Sequence, residues 1–197
     1  MVKLTKNELK KQKDSLKRFE RYLPTLQLKK QQLQMVIRQV EQEFDALKRK
    51  RDLFQKDAST WIGVFNDGID LTPYAKVELM RTSTGNIAGI DIPVFEDLTF
   101  TDVRWDIITM PLWVDRGVDA LRKMLEFEAR LKILKEQLRR LGDELRTTTQ
   151  RVNLFEKVKI PETRENIRMI QIYLGDQQTA AVVRGKIAKR NLVKAQT

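Results

Sequence analysis

The sequence predicts an all-α dominated protein, a long antiparallel two-helix left-handed coiled coil with a short mixed insert, readable as a β-hairpin, between its arms. Three observations carry that prediction. Of the 197 residues, 33% are charged and 7% aromatic, with 8 Gly and 5 Pro, a composition of long helices rather than of a turn-rich sheet. Two stretches keep a seven-residue apolar repeat, and the fifty residues between them lose it.

The first arm, 1–62, is read with Leu9 as position a. Its a series runs Leu9, Leu16, Leu23, Lys30, Ile37, Phe44, Arg51, Ala58, and its d series Gln12, Phe19, Leu26, Leu33, Val40, Leu47, Phe54. Twelve of these fifteen are apolar, and a repeat held over that many turns keeps one seam against a partner helix and imposes a left-handed supercoil. At a rise of about 1.5 Å per residue this arm is about 85 Å long. Pro24 removes a backbone donor inside it and predicts a bend. Lys30 and Arg51 interrupt the seam, where long basic side chains snorkel to solvent or fix register.

The second arm, 113–197, repeats the plan through Met124, Leu131, Leu138, Leu145 and Val152 with Phe127, Leu134, Leu141, Thr148 and Phe155. The frame then slips by one residue near Pro161 and resumes more weakly through Ile160, Ile167, Ile170, Leu174, Ala181 and Ala188. If Ala58 packs near Ala120, Leu9 reaches only the region of Met169, so that the carboxyl end overhangs.

The insert, 63–112, contains Gly63, Gly68, Gly85, Gly89, Pro73, Pro93 and Pro111, the punctuation of a connecting unit. KVELMRT and IAGIDIPVF around a turn at STGN predict a hairpin. Trp61, Trp105 and Trp113 flank or lie within this segment and predict a small apolar base or docking face. Gly85 and Gly89 have no following Lys-Ser/Thr and open no helix, so no phosphate-cradling loop is expected.

Charge is unevenly spread. Net charge is +11, made of +8 over 1–62, −5 over 63–112 and +8 over 113–197. Basic residues gather at both termini, with Lys3, Lys6, Lys10 and Lys11 at one and Arg184, Lys186, Lys189 and Arg190 at the other. In an antiparallel hairpin these share one end, which suits acidic protein loops or, as an alternative, the phosphates of a nucleic acid bound by a basic coiled-coil scaffold.

Enzyme chemistry is poorly provided for. The chain has neither Cys nor His, which excludes disulfides, thiolate nucleophiles, Cys/His zinc sites and Ser-His-Asp triads. No acid-base pair, metal set or cofactor motif stands out, so catalytic, metal and cofactor residues are expected to be absent. The amino terminus has positive charge but no apolar run after it, and IITMPLWV at 107–114 is far shorter than the roughly 20 residues of a membrane span. A cytoplasmic protein reaching the membrane only through partners is expected.

RVNLFEKVKIPETRENI at 151–167 closely resembles the carboxyl-terminal arm of the D subunit of V-type and archaeal-type rotary ATPases, above all in its RVN, IP and NI. KLTKNELKKQKDSLKRFERYLPTLQLKKQQL resembles the family's first arm, and NIAGIDIPVF the centre of its bacterial members. The resemblance implies a non-catalytic central rotor stalk that couples ATP hydrolysis or synthesis in an A/B hexamer to ion transport by a membrane ring. It implies as partners the catalytic A and B subunits, the F subunit and the funnel-shaped subunit on the ring. The basic termini would then form the tip in the hexamer, and the tryptophans would belong to the docking base.

Overall fold

A computed structural model of the chain describes residues 2–62, 70–103, 110–111 and 113–195. Helix α1 spans Lys6–Ile62, strands β1 and β2 span Val77–Ile87 and Ile90–Phe100, and helix α2 spans Val114–Leu154. A π-helical turn, Phe155–Lys159, leads into helix α3, Ile160–Ala195. The chain divides into two compact units, one of residues 1–30 with 147–197 and one of residues 31–146.

In the unit 1–30 with 147–197, α1 begins where Thr5 Oγ1 accepts a hydrogen bond from the Glu8 amide at 3.2 Å. This satisfies one of the donors that a helix start leaves orphaned, and Glu8 adds a negative charge where the helix dipole favours one. Pro24 lies inside α1 on an exposed face, and the helix continues through it. Phe19 stacks on Phe155 with ring centroids 5.3 Å apart, and Arg164 pairs with Glu20 at 2.7 Å. Val152, Ile160 and Ile170 are buried, together with Thr148 and Thr163.

The π-turn gives the frame slip its physical cause. The Ile160 amide donates to the Phe155 carbonyl, five residues back, so one extra residue is taken into the turn. Val152 and Ile160, eight residues apart, are therefore both buried, as are Ile160 and Thr163 on the next turn. Pro161 has no amide to donate, and Thr163 Oγ1 donates to the Lys159 carbonyl at 2.6 Å.

In the unit 31–146, α1 and α2 run antiparallel. Leu33 and Val40 share a core with Leu141 and its neighbours Leu134, Leu138 and Leu145, whereas further along α1 Arg51 pairs with Glu128 and Phe54 meets Phe127 at 5.9 Å. Leu33 and Leu141 have no exposed surface, and full burial of such a side chain is worth about 1.5–3 kcal/mol.

The hairpin is present but its turn differs from the expectation. Ile87 pairs with Ile90, so the turn is Ala88-Gly89, and STGN lies inside β1 with Thr84 opposite Pro93 and Gly85 opposite Ile92. Both turn residues have positive φ, 53° and 79°, the requirement of the two-residue turn whose twist matches a hairpin. Asn86 fixes it from the side, accepting from the Gly89 amide at 3.1 Å and donating to Asp91 at 2.8 Å. Gly85 serves cross-strand packing instead: a Cβ there would lie 2.9 Å from Val94 Cγ2.

The hairpin also reaches farther than a unit confined to the helix ends. Each strand has 11 residues, about 36 Å of extended chain, and Ile92 packs in the core with Leu33, Val40 and Leu141. Gln137 Nε2 donates to the Pro93 carbonyl at 2.6 Å, and Arg140 donates to the Asp91 carbonyl at 3.0 Å. These bonds satisfy the outward carbonyls of β2 and pin that strand to α2.

Candidate functional site: the helical seam, its basic end and its base

Every a and d position of the first arm read from the sequence is buried or half-buried, from Leu9 to Ala58. Leu33, Val40 and Ala58 are buried, and Leu16, Phe19, Leu26, Ile37, Phe44 and Leu47 are half-buried. On the second arm Leu131, Leu141, Thr148 and Val152 are buried, with Leu134, Leu138, Leu145 and Phe155 half-buried. The seam continues through Ile160, Thr163, Ile167, Ile170 and Leu174 and then stops, for Ala181 and Ala188 are exposed. Lys30 and Arg51 are half-buried on the seam, and Arg51 ends in ion pairs with Asp52 and Glu128 that hold its guanidinium charge, its pKa raised chiefly by the Glu128 bond.

Lys3, Lys6, Lys10, Lys11, Arg184, Lys186, Lys189 and Arg190 are all exposed, belong to the same unit, and make no ion pair among the described residues. Beside them on α1 a surface hollow of about 640 Å³ is lined by Lys11, Lys17, Arg18 and Arg21 with Asp14 and Ser15. Unpaired cations at this density attract an anionic surface over about 8–10 Å at physiological salt.

At the base, Trp61 is half-buried with the Arg116 guanidinium 5.8 Å from its ring centre. Trp113 is half-buried and packs on Gly117, where a Cβ would lie 3.3 Å from the indole and 2.9 Å from Leu71. Trp105 lies outside the described residues. Sequence reasoning missed the buried pair Val114 and Val118; their spacing of four residues at the start of α2 was the available signal. Arg122, which donates to the Tyr74 carbonyl at 3.0 Å and lies 5.5 Å from the Phe100 ring centre, was also missed.

On the exposed face of α2, Arg139 and Arg140 clamp Glu136 at 2.7 and 2.9 Å. Hydrogen bonds from Arg139 first and Arg140 second hold its carboxyl down to about 2. Among the described residues no acidic cluster could hold a metal ion, and no helix is long and apolar enough to cross a membrane.

The arrangement defines a class first: a helical coiled coil with a two-stranded hairpin between its arms and basic residues at its termini. The comparisons with known proteins then supply the family. The family model for the D subunit of ATP synthase matches residues 8–190. The V-type ATP synthase D subunit of Borreliella burgdorferi is 49% identical over 193 residues, 98% of this chain and 96% of the relative. That of Chlamydia abortus is 35% identical, over 97% of this chain and 93% of the relative. The chain belongs to the ATP synthase D-subunit family.

Proposed function

We propose that this chain is the central axle of a V-type rotary ATPase, coupling ATP hydrolysis or synthesis in an A/B hexamer to ion translocation by a membrane ring. The observation that carries the reading is the match to D-subunit relatives from end to end. The 57-residue helix α1, whose seam positions are buried or half-buried from Leu9 to Ala58, supports it, because two helices locked by knobs-into-holes packing resist bending and twisting better than one.

In this reading the chain contributes no catalytic group and no cofactor. It carries torque between catalytic sites on the A and B subunits and the ring, held at its base by the F subunit and the funnel-shaped subunit. The complex lies on the cytoplasmic side, peripheral to the membrane. The exposed cations of the termini, from Lys3 to Lys11 and Arg184 to Arg190, form the tip within the hexamer, and Trp61, Trp105 and Trp113 belong to the docking base.

Assembly and coupling measured together test it. The tagged chain, recovered from its own cells at moderate salt, is expected to bring down both hexamer subunits and ATPase activity. Within that complex Leu138→Pro, which breaks α2 beside the buried Leu141, is expected to leave ATP hydrolysis but abolish ion pumping. Removal of residues 185–197 is expected to weaken coupling with the base still docked. Nucleic acid alone, released by salt, would replace the axle with the scaffold reading.

A further inference from the structure

We propose that the level of the coiled coil marked by Pro24 and the π-turn, within the unit 1–30 with 147–197, is a torsional joint, where the paired helices yield first when the chain is twisted. The joint is read from this chain alone, and its use under load rests on the axle reading.

Both helices are weakened at one height. Pro24 has no amide, so the Glu20 carbonyl, four residues back in α1, loses its helical donor. Beside it the Thr25 hydroxyl donates to the Tyr22 carbonyl at 2.8 Å, a side-chain bond of the kind that bends helices. Pro161 at the start of α3 likewise leaves the Lys157 carbonyl, inside the π-turn, without its helical donor. Phe19, about 7.5 Å along α1 from Pro24, stacks on Phe155, the first residue of the π-turn, and Glu20 pairs with Arg164 beyond it.

The bonds of the π-turn can be exchanged without being lost. The Ile160 amide donates to the Phe155 carbonyl, five residues back, and tightening to an α-turn would hand that amide to the Glu156 carbonyl instead. A regular helix has no second partner of this kind, so twisting it lengthens or breaks bonds. Thr163 Oγ1 donates to the Lys159 carbonyl at 2.6 Å and keeps it satisfied whichever amide reaches it. A complete exchange would wind α3 by about 100°. It would bring Lys159 and Glu162 onto the seam in place of Ile160 and Thr163, which are 7% and 4% exposed. Burying that ion pair, 3.2 Å apart at the surface, opposes the motion, so the turn gives partway and springs back.

The seam at this level resists rotation weakly. Thr148 and Thr163 hold buried positions here, where Leu33 and Leu141 fill the core of the unit 31–146, and a threonine offers fewer apolar contacts. Leu154 and Val158, before the turn and on it, are 44% and 48% exposed, so the seam does not hold them. In the unit 31–146 neither helix contains a proline or a π-turn, and Gln137 and Arg140 tie α2 to β2. Softness therefore belongs to one level rather than to the whole coiled coil.

Hydrogen exchange on the full chain, read by mass spectrometry, tests the joint. Amides of 20–28 and 155–165 are expected to exchange at least tenfold faster than those around Leu141, with protection recovering at 167–174. Protection that instead falls steadily from Leu141 to the end of α3 is ordinary fraying and would overturn the joint. Deleting Val158 together with Pro161→Ala should slow exchange in both segments roughly fivefold and leave the amides around Leu141 unchanged. Pro24→Ala, on an exposed face away from the seam, should slow 20–28 by itself. Twist is then read in the complex assembled in the chain's own cells, held by its hexamer, with a gold rod on the base. The angular variance of the rod at a fixed dwell is expected to fall by about a third in the deletion variant. Unchanged variance alongside slowed exchange would show that the level opens but does not twist, and would overturn the proposal. If no hexamer subunits co-purify, the axle reading fails and the exchange profile alone decides the joint.

Discussion

The two units are built on one seam, yet they bury it to different depths. In the unit 31–146 the hairpin lays a third layer over the helices, and Leu33, Val40, Ile92 and Leu141 close into one core. In the unit 1–30 with 147–197 the regular elements among the described residues are all helical, and the buried apolar side chains there are Val152, Ile160 and Ile170, with Thr148 and Thr163 among them. Two helices alone have one face each to share, so most seam residues keep some contact with water. The hairpin changes that by covering the side of the seam, and the cost is a turn with a positive φ at Ala88. Depth of burial therefore follows the number of layers, and the heptads of the helical unit are also the less regular, slipping at the π-turn and fading beyond Leu174.

The sharpest way to break this comparison is to move the seam. The helix-only unit takes up its extra residue in the π-turn, so deleting Val158 should convert Phe155–Lys159 to regular α-helix and leave Val152 and Ile160 seven residues apart, still on the seam. Deleting Arg168, beyond the turn, should instead rotate Ile170 and Leu174 off the seam by about 100°, one residue of a 3.6-residue period. The first variant is expected to keep wild-type helicity and melting temperature. The second should lose the protection of α3 amides in hydrogen exchange. Equal damage from both would mean that the π-turn does not hold the inserted residue.

Truncating one leucine in each unit tests depth directly. Leu141→Ala, at a side chain with no exposed surface, is expected to cost about 2–5 kcal/mol in urea unfolding. Leu16→Ala, on the half-buried seam of the other unit, should cost under half as much, because less apolar area returns to water. Similar costs would show that the hairpin adds no effective layer.

These residues also show how much was legible beforehand. Heptad periodicity reports which face of a helix is covered, and it placed the seam of both arms as far as Leu174 together with the one-residue slip; Ala181 and Ala188 keep the period but have nothing over them. It is silent on what covers a face, so Ile92 against Leu33 and the bonds from Gln137 and Arg140 to β2 could not be read from it. The hairpin itself was legible from alternation, but its turn was not. STGN offers Gly85 and Asn86 as turn residues, yet the register puts the positive φ on Ala88, a residue that disfavours it, and uses Asn86 to cap the turn. At the base the tryptophans drew attention, while the buried Val114 and Val118 gave only a two-residue signal.

That misplaced turn makes a smaller test of the layered unit. Ala88→Gly removes the steric penalty of a left-handed alanine, roughly 1–2 kcal/mol, and gives part of it back as chain entropy. A net gain of up to about 1 kcal/mol is expected, read as a rise in the unfolding midpoint without a change in slope. A loss would mean that the Ala88 side chain, which packs against the core, is worth more than the strain it causes.

The smallest effect is electrostatic. Glu136 is held down to about 2 by Arg139 and Arg140 on the exposed face of α2. A carboxyl whose folded value is depressed adds stability that is fully present above its unfolded value, 4.5 for an ordinary Glu. That stability is lost as pH falls from there through about 2. NMR titration should therefore find the Glu136 carboxyl still ionised at pH 3. Because the cluster is exposed and salt-screened, Glu136→Gln should barely move neutral-pH stability and should flatten its acid limb slightly. A Glu136 midpoint near 4.5 would show that neither arginine holds its carboxylate, and would leave Gln137's bond to the Pro93 carbonyl as a link between α2 and the hairpin that needs no charge.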